Sequence, residues 1–377
     1  MFQSLSANVT ELFGRKREIS SGGLGVGFSE KDAFWACIGE TIERYCISYY
    51  NPKDFVYKKL TDLPTKERLT VFNLYSDDQY KNEKSFLNPK NEIVDWIKIN
   101  SYKDKQKTIY YPASLIYIPY ENGVPVAETT STGVSTSTSI GDAIRKSILE
   151  IIERDSVVIN FTMGLQPFEV DLSSITGEPL YSLVKKIHKI YHIRIIRLLS
   201  DFSIPVYLSL IWRNYKGTLR FGVGACAEFD SDIAIQKSLK ECLFTYFYSK
   251  DIMDLRKENP DEIKTLYEHF LYYQDKKLFP LLFLDTKFIK YKKEKLSFKS
   301  VLKEIEKSGL EIFYKDLTTL DVKQTGIKVV RVIIPGMIDL NKTHQLIRKG
   351  AKRFRTVPVK LGFKNKTSFS TLPHPFP

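Results

Sequence analysis

No stretch of this sequence approaches the ~18 uncharged apolar residues that a membrane-spanning helix requires. The opening MFQSLSANVTELFGRKRE carries acidic Glu11 where a secretory signal would hold its apolar segment, so a cytoplasmic protein is expected. The four cysteines, Cys37, Cys46, Cys226 and Cys242, are too widely spaced for a CxxC metal knuckle and too few to staple 377 residues. Buried free thiols are the expectation. The five histidines, His188, His192, His269, His344 and His374, form no HExxH or related pair, which leaves oxygen ligands as the better metal candidates. GxxxxGK(S/T) and G-x-S-x-G are both absent. GGLGVG (22–27) follows GxGxxG only loosely, with no ribose-binding acid in a clear βαβ context about twenty residues on.

What is present is ordinary for a globular chain: 43% hydrophobic and 27% charged residues, enough for two domains or for one built from similar halves. A formal charge of +13 points to an anionic partner, whether nucleic acid, a phosphate ligand or an acidic peptide. The basic runs KYKKEKLSFK (290–299) and RKGAKRFR (348–355) lack the aromatic spacing of a single-strand-binding platform and read as solvated surface.

The chain repeats itself. GVGFSEKDAFWACIGETIERYC (25–46) and GVSTSTSIGDAIRKSILEIIERDS (133–156) share Ala, then Glu seven positions on, then Glu-x-x-Glu-Arg. Ala33, Glu40, Glu43 and Arg44 thus match Ala143, Glu150, Glu153 and Arg154. A third copy, GACAEFDSDIAIQKSLKECLF (224–244), keeps Ala234 and Glu241 but loses the second Glu and the Arg. Each copy runs from small residues through a capping Ser or Asp into helical periodicity. Ser29 with Asp32 and Ser139 with Asp142 are predicted helix starts.

Residues three and four apart share a helix face, so each full copy projects two acids and a base together. One such set alone reads as a solvent-facing ion pair, Glu40 with Arg44 for example. Two matching sets flanked by Phe34, Trp35, Ile38 and Ile42, and by Ile144, Ile148, Leu149, Ile151 and Ile152, predict largely buried helices. Buried carboxylates must be paired, hydrogen-bonded or metal-bound. Four of them brought face to face suit magnesium bridging to phosphate, with the arginines neutralising phosphoryl charge.

These residues resemble the YcaO proteins, which use ATP to activate a backbone amide. GETIERYC and STSTSIGDAIRKSILEIIERD look like the two main nucleotide and metal motifs of that family, DIAIQKSLKECLF like the third, and VVRVIIPGMIDL (329–340) like its later arginine-bearing strand. The resemblance implies a mixed α/β (α+β) fold with two related halves in one compact catalytic domain, residues 22–377, after a short extension at 1–21. Strands are expected at RIIRLLS, YLSLIW, LFPLLFLD and KVVRVII. It further implies magnesium on ATP phosphates held by Glu40, Glu43, Glu150 and Glu153, with nucleotide contacts at Ser135, Thr138, Asp142, Lys146, Arg154, Glu241 and Arg331. Ala36, Thr138, Lys146 and Phe244 depart from the residues usual there.

PHPFP (373–377) reads by composition as a loose or polyproline tail, whose loss should barely alter the melting temperature. In the azoline-forming branch, which RFRTVPVKLGF (353–363) also resembles, such a tail reaches the active site. The resemblance then makes the terminal carboxylate of Pro377 a general base, with Pro373 and Pro375 restricting its freedom. The implied activity is cyclodehydration of Cys, Ser or Thr in a ribosomally made precursor peptide. A separate leader-recognition partner (ThiF-like or a RiPP recognition element protein), a dehydrogenase and a homodimer accompany that reading. Its alternatives are thioamide or macroamidine formation by the same ATP site, and a noncatalytic basic scaffold binding peptide or nucleic acid.

Overall fold

The computed structural model describes residues 1–6, 12, 22–69, 74–215, 218–282, 286–363 and 368–376. They form two compact units. The first comprises residues 1–151, 309–339 and 348–351, and the second residues 152–308, 340–347 and 352–377. Mixed helix and sheet make this the expected α/β class.

In the first unit, β1 (Phe2–Ser4) pairs antiparallel with β2 (Gly23–Gly25) beside helix α1 (Glu30–Ser48). The main sheet there joins β3 (Val56–Lys58), β4 (Val94–Ser101), β5 (Thr108–Pro112) and β6 (Val134–Ser137) to β12 (Phe313–Asp316) and β13 (Lys328–Ile333). Its order is β3-β4-β12-β13-β6, with β5 on β4, and every pairing is antiparallel. Its core includes Ile97, Ile99, Ile109, Phe313 and Val329. Helix α2 (Ile140–Thr162) begins in the first unit and ends in the second.

The second unit's sheet runs β10 (Thr218–Ala227), β9 (Val206–Tyr215), β8 (His192–Arg197), β7 (Phe168–Asp171) and β11 (Lys287–Lys290), the last pair parallel. Helices α3 (Leu180–His188) and α4 (Ser231–Tyr248) contribute Leu180, Val184, Ala234, Ile235 and Leu239 to its core. The second unit also holds α5 (Leu266–Tyr272), α6 (Phe298–Lys307) and α7 (Arg353–Lys360), and the first unit has short helices at Asp77–Asn82 and Leu320–Lys323.

The repeat has a physical reason. Ser29 Oγ accepts from Asp32 N and Ser139 Oγ from Asp142 N, both at 3.1 Å, so the first two helices start where the sequence places them; Asp230 caps α4. Each then buries a small pair one turn apart: Ala33 and Cys37, Ala143 and Ser147, Ala234 and Ser238. These pairs let a strand lie against the helix backbone. A Cβ on Gly25 would overlap the Ala33 carbonyl oxygen, and one on Gly224 the Ser238 carbonyl oxygen. Gly224→Val should therefore destabilise by about 1–3 kcal/mol or more. Thermal melting checks this, and an unchanged Tm would contradict the close approach.

Three expectations about the fold fail. RKGAKRFR (348–355) is not solvated surface throughout: Arg348, Ala351, Arg353 and Phe354 are buried, and Arg353 pairs with Asp155 and Asp201. Phe34 and Trp35 are 44% and 59% exposed, because the Ala33–Cys37 face takes the strand and residues 34 and 35 turn about 100° and 200° away from it. The apolar run LFPLLFLD is not a strand in its described part: Phe279–Leu282 is a 3-10 turn containing Pro280, which lacks an N–H for a ladder. Phe279 packs on Trp212 and Phe221 instead, and residues 283–285 lie outside the described set. All four cysteines are free and buried. Among the described residues no helix is long and apolar enough to cross a membrane.

Candidate functional site

The glutamates of the repeats are tied to strand amides in a regular pattern. The first of each copy accepts from the run ahead of its own helix: Glu40 Oε2 from Leu24 N at 2.8 Å, Glu150 Oε2 from Gly133 N at 2.9 Å, and Glu241 from Ala225 N. The second accepts from the run of the following copy, Glu43 Oε1 from Thr136 N at 2.6 Å and Glu153 Oε2 from Ala227 N at 3.0 Å. Each carboxylate thus ties its helix to the backbone of the run before it or of the following copy. The sequence showed the carboxylates but not their amide partners, since a backbone N–H has no residue signature.

Within the first unit, Glu40, Glu43 and Glu150 interact electrostatically. Removal from water and the neighbouring Glu150 carboxylate push Glu43 up to about 8, against the pull of the Thr136 amide. Arg44 gives its guanidinium to Glu40 at 2.6 Å, an exposed one-turn pair worth little on its own. A carboxyl that holds its proton up to about 8 when folded but releases it near 4.5 when unfolded adds stability below 4.5 that is lost as pH rises through about 8. In chelator, Tm should fall as pH rises over that window, and Glu43→Gln should flatten the fall. A pH-independent wild-type Tm would contradict the shift.

In the second unit, burial raises Glu241 to about 7 despite Lys240 and Arg154 nearby. Cys226, among Glu153, Glu241 and Glu228, is pushed well up by burial first and then by these carboxylates. Phe244, one turn after Glu241, stacks on Tyr248.

The residues expected to contact a nucleotide differ in their exposure. Ser135 is buried on β6 opposite Val330. Thr138 is exposed, and Asp142 and Lys146 are exposed on the first turns of α2, where Asp142 meets Ser139 and Arg145 and Lys146 Nζ reaches the Thr136 carbonyl at 3.1 Å. Arg331, only 2% exposed, donates to the carbonyls of Ile116 and Thr130 and to Thr129 Oγ1. Burial lowers its guanidinium to about 10. It lines a cleft together with Thr132, Asp339 and Arg348. Burial alone would raise Asp339, yet Arg348, the Thr132 and Thr130 hydroxyls and Arg331 hold its carboxyl below the usual range. The sequence reading missed this Asp339 network, whose members lie as far apart as Thr130 and Arg348.

The tail is not loose. Residues 373–376 are buried, and Tyr273 Oη donates to the Pro373 carbonyl at 2.6 Å. The expectation that its loss would leave Tm unaltered is therefore corrected, because Phe376 and His374 are 5% and 3% exposed. Pro377 lies outside the described residues.

Among the described residues, no three His, Cys, Asp or Glu side chains are grouped to hold a metal ion. The donors are nevertheless hard oxygens, which suit magnesium. That ion is commonly bound through one or two carboxylates plus substrate phosphates rather than an all-protein cage. Glu43, raised by burial and by the neighbouring Glu150 carboxylate, fits a metal delivered with phosphate.

Repeated strand-and-helix modules whose glutamates accept from backbone amides define a mixed α/β protein. The chain belongs to the YcaO family, described as YcaO cyclodehydratase, ATP- and Mg2+-binding, whose profile matches residues 24–338. An uncharacterized protein of Methanothermobacter thermautotrophicus is 24% identical over 65% of each chain. A heterocyclase in complex with substrate and cofactor superposes with a TM-score of 0.76 at 21% identity, covering 95% of this chain and 50% of the other. YcaO from Methanopyrus kandleri, bound with AMPPCP and Mg2+, has a TM-score of 0.61 at 17% identity, covering 88% and 82%. These likenesses establish the fold. The chain spans about half the length of the heterocyclase and 65% of the curated relative.

Proposed function

We propose that the chain is an ATP-dependent peptide cyclodehydratase that converts Cys, Ser or Thr of a ribosomally made precursor into an azoline. The observation that carries this reading is the ladder of glutamates on strand amides, with Glu43 raised to about 8, inside the stretch that matches the family. Glu40, Glu43, Glu150 and Glu153 would hold magnesium, and Ser135, Thr138, Asp142, Lys146, Arg154, Glu241 and Arg331 would surround the nucleotide. ATP supplies a phosphoryl group that turns the amide oxygen into a leaving group, and magnesium neutralises charge on the group in transit.

The chain's own part is positioning and proton handling. Strand amides hold one oxygen of each glutamate, which fixes the direction of the carboxylate before any ligand arrives. Arg331 and Arg154 supply fixed positive charge. The peptide thiol or hydroxyl must lose its proton as it attacks the preceding carbonyl carbon. The terminal carboxylate of Pro377 is the base assigned to that proton, and the buried run 373–376 leading to it supports the assignment. Precursor peptide, a separate leader-recognition protein, a dehydrogenase and a second copy of this chain are the proposed partners, in the cytoplasm. Phosphate release measured with a precursor peptide tests the reading: it should require peptide and magnesium together and stop in chelator. Release that persists in chelator would overturn the magnesium assignment.

A further inference from the structure

A segment with proline at alternate positions cannot be held by its own amides there, because each proline lacks an N–H. It must be held through its carbonyls and side chains. Ser370 N donates to the Thr162 carbonyl at 2.7 Å, at the end of α2. Beyond it, three histidines and a tyrosine take over. His344 Nε2 bonds the Thr371 carbonyl at 3.0 Å, and Tyr273 Oη the Pro373 carbonyl at 2.6 Å. His374 Nε2 returns the contact to the Asn341 carbonyl at 3.2 Å, and His269 Nε2 bonds the Lys342 carbonyl at 3.0 Å.

A carbonyl only accepts, so each imidazole carries its proton on Nε2. His269 and His374 stack with ring centroids 4.1 Å apart and planes 8° from parallel, and His344 meets His269 edge-on at 5.8 Å. All three are buried. Segment 341–344 and tail 371–374 therefore brace each other reciprocally, with His269 behind both. Stacked buried imidazoles cannot share positive charge cheaply, so the arrangement requires the neutral form.

We propose that His269, His344, His374 and Tyr273 form a clamp of positioning residues that holds the C-terminal tail in its working place. This rests on the reading that the terminal carboxylate assists proton transfer; the clamp touches neither substrate nor cofactor itself. Burial holds all three histidines below their usual range, His374 at about 4. Among the described residues, charged groups bearing on the cluster include Arg154, which opposes protonation of His374, and Asp261, which favours protonation of His344. Folded values below the unfolded ~6.5 mean that clamp stability is complete above about 6.5 and is lost as pH falls toward about 4.

The test follows hydrogen exchange of the C-terminal peptide, corrected for intrinsic rates, alongside azoline formation. In the full chain, the tail should lose protection as pH falls from about 7.5 to 5 while the β8–β9 strands stay protected, and kcat should fall on the same limb with the KM for ATP unchanged. The double variant Tyr273→Phe/His344→Phe should lose tail protection at neutral pH and reduce kcat about tenfold, with His344→Gln restoring part of it through its N–H donor. Wild-type tail exchange and kcat in the double variant would overturn the clamp. Loss of protection across the whole second unit together with the tail would also overturn it, and the wild-type pH series decides the matter if the variant does not fold. If wild type makes no azoline, the functional reading fails while the exchange data still judge the clamp.

Discussion

Glu150→Gln should leave the fold intact and lower ATP turnover by at least about a hundredfold. Glutamine has similar helix propensity and shape and retains a carbonyl oxygen, so the bond accepted from Gly133 N survives the substitution. What disappears is the negative charge. Even the outer partners of metal ligands are worth roughly 10- to 100-fold in metal affinity or activity, and a direct ligand should exceed that. Turnover under saturating magnesium, ATP and peptide is the measurement, with thermal melting as the control for fold. Wild-type turnover would remove Glu150 from the metal site, and with it the argument from the repeated glutamates.

Extending the chain past Pro377 with a few Gly and Ser residues should lower azoline formation by about a hundredfold or more, the usual worth of general-base assistance. Deletion of residues 373–377 is the poorer test: it removes buried His374 and Phe376 and the carbonyl bonded by Tyr273, so packing and chemistry are lost together. Extension keeps those contacts and displaces only the carboxylate. The steady-state rate and the melting temperature should separate, the first falling steeply and the second changing little. A parental rate in the extended protein would take Pro377 out of the reaction and favour the thioamide or macroamidine alternative.

What the sequence made legible is local. Ser29 and Ser139 start helices because capping depends on residues three positions away. What stayed hidden depends on residues far apart in the chain or on the backbone. Nothing in the spacing of His269, His344 and His374 foretells their stacking, and nothing in Glu43 names the Thr136 amide 93 residues away. Composition misled where a competing contact won: Phe34 and Trp35 point outward because the small face of α1 takes the strand, and the tail is docked despite its prolines.

The central claim is that this chain forms rings in a peptide by removing water. Incubation of the protein with ATP, magnesium, a leader-recognition partner and a cognate precursor, followed by mass spectrometry of the peptide, addresses it directly. The account predicts loss of one water per ring at Cys, Ser or Thr, dependent on ATP. A peptide that instead exchanges oxygen for sulfur, or that keeps its mass while ATP is consumed in a peptide-dependent way, would contradict it.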